Sequence, residues 1–112
     1  MKSDKRNLKD FELSLIMHLL SKSSFMIPYD LEKELQVVDM NDGGMGSLLL
    51  FPKNVSENKR DFGKQIAECI FKDLDDVIVT AVLNVDKNNE LFELDIWKTD
   101  FSRLIQIPNN FS

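Results

Sequence analysis

A chain of 112 residues, 43% hydrophobic and 29% charged, has the length of one domain and the composition of a globular protein rather than a disordered one. Nineteen acidic residues against fourteen basic ones give a net charge of −5 and a pI near 4.8, a balance that phosphate backbones repel and that argues against direct nucleic-acid binding. One cysteine and one histidine exclude an internal disulfide and a transition-metal cluster built from those residues, and no apolar run reaches the roughly 20 residues that span a bilayer.

The basic start, Met1 to Arg6, mimics a signal-peptide n-region, but Lys9, Asp10 and Glu12 interrupt the apolar stretch that secretion requires. The expectation is a cytoplasmic protein, in which Asn54-Val55-Ser56 and Asn110-Phe111-Ser112 are chance matches to a glycosylation pattern. A single domain is expected over residues 1–112, with an ordered core from 6 to 108 and flexible termini. Residues 8 to 20 carry the strongest helical signal. Leu8, Phe11, Leu15 and Leu19 recur at helical spacing, and Ile16 and Leu20 widen the stripe. Asn7 is placed to cap this helix, and Asp10 and Glu12 suit its dipole. Pro28 followed by Asp30 to Leu35 predicts a short second helical turn.

Strand signals follow. Gln36 to Asn41 runs into Asp42-Gly43-Gly44-Met45-Gly46, where three glycines in five residues permit a turn or bulged loop. Ser47 to Phe51 is an apolar strand stopped by Pro52, and the two strands form a hairpin. Lys53 to Asp61 reads as a surface loop. Phe62 to Lys72 fits both a helix face and a strand. The β-branched run Val77 to Val85 and the short turn Asp73-Leu74-Asp75-Asp76 favour a strand over at least Ile66 to Lys72. Asp86 to Asn89 makes another hairpin loop. Leu91 to Trp97 then alternates, with Phe92, Leu94 and Ile96 on one face and Leu91, Glu93, Asp95 and Trp97 on the other. Phe101 to Ile107 is expected to cover the sheet edge, as a short helix followed by an extended tail. The predicted fold class is α+β: an N-terminal helix packed on an antiparallel sheet of about five strands, a hairpin plus a three-stranded meander.

Little in this pattern points to catalysis. The Asp42 to Ser47 loop lacks the lysine of a phosphate-binding loop and precedes a strand rather than a helix, so turn geometry accounts for its glycines. Cys69 lies in an apolar stretch and His18 between Met17 and Leu19, which describes a buried thiol and a surface imidazole better than a nucleophile pair. Glu93 and Asp95 share a strand face that Trp97 extends. An acidic pair beside an aromatic suits a protein-binding patch better than acid–base chemistry, and a solvated sheet face is the plainer alternative. Asp73, Asp75 and Asp76, in the turn before the middle meander strand, could add charge to the same surface. No catalytic residue, cofactor or metal is assigned.

Asp42 to Ser47 and Leu91-Phe92-Glu93-Leu94-Asp95-Ile96-Trp97-Lys98, with Arg6 to Leu20 ahead of them, resemble a family of small, functionally uncharacterised bacterial α+β domains. That resemblance covers Arg6 to Pro108 and implies no catalytic residues. In size and acidity the chain is also similar to immunity proteins of contact-dependent or polymorphic toxin systems, a likeness of general type that implies a stable complex with a toxin domain, often a nuclease. The expected function is a non-enzymatic protein-binding module, an immunity protein of this type, whose partner is a positively charged toxin domain. The expected contact residues are Glu93, Asp95, Trp97, Asp73, Asp75 and Asp76. The alternative is a ligand-binding or enzymatic domain with a pocket between helix and sheet.

Overall fold

The computed structural model describes residues 4–56 and 59–108. Its elements are β1 (Arg6–Asn7), α1 (Asp10–Ser21), α2 (Leu31–Glu34), β2 (Leu35–Asp39), β3 (Leu48–Pro52), β4 (Phe62–Lys72), β5 (Ile78–Asp86) and β6 (Leu91–Lys98). The strands form one antiparallel sheet in the order β1-β2-β3-β6-β5-β4. The α+β class, the β2–β3 hairpin and the β4–β5–β6 meander therefore stand, and Phe62–Lys72 is strand throughout. The hairpin joins the meander through β6, the last strand to enter the sheet.

The sheet has six strands rather than about five. The extra one, β1, is a two-residue bridge to β2 in which Arg6 faces Val37 and Asn7 faces Gln36. Two residues are too few to show alternation. Asn7 is thus a strand residue, not the helix cap; the helix starts at Asp10, and Glu12 accepts a hydrogen bond from the Lys9 amide at 2.9 Å. The buried stripe of α1 also turns by one position, to Glu12, Leu15, Ile16 and Leu19, while Phe11 stays 37% exposed. Glu12 tolerates burial because the Arg6 guanidinium clasps it bidentately at 2.9 and 2.8 Å and reaches Asp39 with the same fork. That clasp pins the helix start to the β1–β2 edge. The residues at either end expected to be flexible, and the triplet 110–112, lie wholly or partly outside the described residues.

One face of the sheet carries the core. Leu94 faces Leu48 and Leu83, and Ile96 faces Ala81. These residues pack with Leu15, Ile16 and Leu19 of α1 in a single buried cluster. Cys69 lies in that cluster, and burial pushes its thiol pKa up. The strand face reading needs one correction, at the start of β6. Val85 pairs with Leu91 and Asn84 with Glu93, so Phe92 is an extra residue and β6 bulges there. The bulge puts Leu91 in the core and leaves Phe92 half-buried, its ring 5.1 Å from the Arg60 guanidinium. Gly63 serves a second irregularity, in β4 opposite Asp86, where a Cβ would lie 2.3 Å from the Asp86 carbonyl oxygen.

The segment after β6 forms no helix; it crosses the molecule without regular structure, with Ile107 buried and Leu104 packed on the core. The glycine loop receives it. Leu104 donates from its amide to the Gly44 carbonyl at 3.0 Å, and a Cβ on Gly46 would sit 3.1 Å from the Leu104 side chain. Among the described residues no helix is long and apolar enough to cross a membrane. Because Leu94 is fully buried where β3, β5 and β6 meet, Leu94→Ala should lower stability by about 2–5 kcal/mol. Urea denaturation of the two proteins measures the difference, and a loss under about 1 kcal/mol would show a core looser than this packing implies.

Candidate partner-binding face

Helix α1 covers only one side of the sheet. On the other side the register sets Glu93 beside Asn84 and Leu49, Asp95 beside Val82, and Trp97 beside Thr80. Glu68 and Ile70 of β4 extend these rows opposite Val82 and Thr80. Trp97 is 48% exposed and Ile70 65%, and Phe101, beyond the strand end, holds its ring 6.1 Å from the indole. The result is an uncovered face on which apolar and acidic side chains lie in adjacent rows.

Glu93 and Asp95 are brought together as their spacing predicts. Both are half-buried, and the Asn84 side-chain amide donates to Asp95 at 3.0 Å and to Glu93 at 3.5 Å. Burial and the neighbouring Asp95 carboxylate raise the Glu93 pKa despite the Asn84 hydrogen bond. Burial, and after it the charge of Asp42, raise that of Asp95, again against the Asn84 hydrogen bond. Neither carboxylate has a cationic partner among the described residues. The sheet face is therefore electrostatically unfinished, with two partly desolvated negative charges and an amide between them.

The three aspartates of the β4–β5 turn divide. Asp73 is not a surface residue: it is 3% exposed and accepts from Lys98 Nζ at 2.9 Å and from the amides of Leu74, Ile105 and Gln106 at 2.8, 2.7 and 2.9 Å. It belongs to the architecture. Asp75 is exposed on one side but spends an oxygen on Lys98 Nζ at 2.7 Å. Asp76 is exposed, in the left-handed region with φ of 65°. Of the expected contact residues, Glu93, Asp95 and Trp97 share the open face, while Asp75 and Asp76 sit in the turn beyond its end.

Asn84, Ile70, Phe101 and Glu68 were missed from the sequence. Their signal is register: once β4 and β5 are aligned on β6, Ile70 falls in the Trp97 row and Glu68 in the Asp95 row. A cavity lies elsewhere, a groove of about 620 Å³ between the start of α1, the glycine loop and the C-terminal segment. Its acidic groups are already engaged. Arg6 holds Glu12 and Asp39, and Asp42 accepts from the amides of Met45 and Ser47 at 3.1 and 2.9 Å. Among the described residues no cluster of three or more His, Cys, Asp or Glu side chains is arranged to hold a metal ion.

Burial works against the ionisation of Asp73, and its four hydrogen bonds outweigh it, holding the carboxyl at about 2. A carboxyl depressed in the folded state stabilises the fold above its unfolded pKa, and that contribution disappears as pH falls through the folded value. Stability from this group should be complete above about pH 4 and lost progressively towards pH 2. Urea unfolding at stepped pH checks this, with Asp73→Asn expected to be less stable at neutral pH and flatter over that window. An unchanged acid limb in the variant would refute it.

No curated protein and no solved structure matches the chain. A family model does match, over nearly the same stretch as the likeness in the motifs. Residues 5–108 fit it, and the chain belongs to the family described as Domain of unknown function (DUF6984).

Proposed function

We propose that this chain is a non-enzymatic protein-binding module that docks a positively charged partner on its open sheet face. One observation carries the reading: Glu93 and Asp95 lie half-buried and unpaired with any cation among the described residues, on the face that presents half-exposed Trp97. Carboxylates in that position destabilise the isolated fold when ionised, and a cation supplied from outside removes the penalty. An arginine suits it best, because its planar fork matches a carboxylate and its face stacks on indole. Trp97, with Phe101 and Ile70 around it, supplies the desolvated apolar centre that slows dissociation.

The partner in this proposal is a toxin domain that the chain blocks as its immunity protein. Support for that finer reading comes from small size, net charge of −5 and the lack of a recognisable catalytic motif. A nuclease must attract phosphate and so has a basic cleft, into which an acidic, aromatic face would fit as a decoy for nucleic acid. The ligand-binding alternative is less favoured. The space between α1 and the sheet is filled by Leu15, Ile16 and Leu19, each without exposed surface, and neither Glu93 nor Asp95 lines the 620 Å³ groove.

Calorimetry with a basic toxin domain, should one be encoded beside this gene, tests the proposal. Affinity should fall as salt rises and as acid protonates the carboxylates, and Glu93→Lys with Asp95→Lys should weaken it by at least about 2 kcal/mol. Trp97→Ala should cost about 2 kcal/mol or more if it is the anchor. The folded state of each variant is checked by its thermal transition. Binding indifferent to salt and to the double reversal would sink the electrostatic mechanism, and a partner surface as acidic as this one would sink it outright.

A further inference from the structure

The two edges of the sheet are finished differently. At one edge the short strand β1 bonds to β2, and Arg6 clasps it to the helix. At the other edge β4 pairs with β5 alone among the described residues. The first half of β4 carries both of its register shifts, Phe62/Lys64 and Gln65/Ala67, and such bulges bend an edge away from further pairing. The second half has no such protection. Ala67 to Lys72 run in unbroken register against Leu83 to Ile78, with no glycine or proline among them. The Thr99 amide donates to the Ile78 carbonyl at 2.9 Å, and the Asp73 amide to the Val77 carbonyl at 2.9 Å. Those two bonds fix the alternation: the backbone groups of Ala67, Cys69 and Phe71 meet β5, and those of Glu68, Ile70 and Lys72 point outward. The same three residues hold their side chains exposed, Ile70 at 65%. Neither the Glu68 nor the Lys72 side chain has an ion-pair partner among the described residues.

We propose that this half-strand pairs antiparallel with the same half-strand of a second copy of the chain, about a twofold axis at Ile70. The self-complementary charge of the edge selects that register. Glu68 then faces the partner's Lys72, Lys72 faces the partner's Glu68, and Ile70 meets its own counterpart between the two ion pairs. All three pairs use backbone groups that already point outward. An axis at Glu68 would set that carboxylate against itself and Lys72 against Lys64, and an axis at Cys69 would set both charges against isoleucines, Ile70 and Ile66. Pairing uses the strand edge and leaves the sheet face open. The twofold stands perpendicular to the sheet, so the Glu93, Asp95 and Trp97 rows of both copies lie on the same side of one continuous sheet.

Sedimentation equilibrium of the full chain tests this, and a reversible monomer–dimer equilibrium half-complete at or below about 100 µM is expected for an interface built on one strand pair. Across that midpoint the amides of Glu68, Ile70 and Lys72 should become slow to exchange with deuterium, while those of Cys69 and Phe71 are slow throughout. Glu68→Lys and Lys72→Glu, each alone, put like charges opposite one another and should weaken the dimer at least about tenfold. Mixed in equal amounts, the two variants should regain it, because opposite charges then meet again across the axis; so should both changes in one chain. The thermal transition of each variant in dilute solution confirms that it folds. A chain still monomeric at about 1 mM would overturn the proposal. So would a dimer indifferent to the single reversals, or one that neither the mixture nor the double variant restores.

Discussion

The most consequential contact in this molecule is the one between Lys98 and Asp73. Both side chains are buried, and a buried ammonium or carboxylate is costly unless its hydrogen-bonding capacity is filled. Here it is filled on both sides. Lys98 Nζ donates to Asp73 at 2.9 Å, to Asp75 at 2.7 Å and to the Arg103 carbonyl at 3.0 Å, which uses its three protons. The Asp73 carboxylate in turn collects the amides of Leu74, Ile105 and Gln106. One ion pair thereby ties the β4–β5 turn, the end of β6 and a segment with no regular structure into a single unit. Through it Leu104 and Ile107 reach the core, and the chain leaves β6 along a path that sets Phe101 beside Trp97.

A comparable clasp works at the other end of the sheet. Arg6 joins the short edge strand, the buried Glu12 of the helix and Asp39 of β2. Near the hairpin turns Arg60 plays a related part: it pairs with buried Asp86 at 2.9 Å and donates to the carbonyls of Leu50 and Leu91. In each case a cation neutralises an acidic side chain that the packing has buried. Glu93 and Asp95 break that rule. They are partly desolvated too, yet the chain's described residues bring them an amide and no cation, and this contrast marks the open face as the place where something external completes the electrostatics.

The asymmetry of the sheet follows from having one substantial helix. Twelve residues of α1 cover one side, and α2 is four residues long with none buried. An antiparallel sheet tolerates one wet face, and alternation along β6 puts acids there. A purely solvated face would not need Trp97, Ile70 and Phe101 gathered on it, all at or above 48% exposure. Single exposed apolar residues are ordinary; a cluster rimmed by acidic groups is the pattern of a contact surface.

Most of the strand pattern was legible in the sequence, because alternation and turn chemistry are local. Val77 to Val85 and Leu91 to Trp97 read as strands from their own composition, and the glycines at 43, 44 and 46 announced a turn that in fact carries φ of 75°, 81° and 99°. Glu93, Asp95 and Trp97 share a face for the same local reason. What the sequence could not decide depended on partners brought from far along the chain. Asp73 and Asp76 look equivalent in a run of turn residues, and only the arrival of Lys98 from 25 residues away and the amides of Ile105 and Gln106 from 32 and 33 away buries one and leaves the other in water. Glu12 displaced Phe11 from the helix stripe because Arg6 was folded back beside it, and Phe92 gave its core place to Leu91 because β5 supplied one residue fewer than β6 across the bulge. A residue's period along the chain determines which face it can occupy, but whether a charge on that face is buried is decided by the neutralising partner that the tertiary structure delivers.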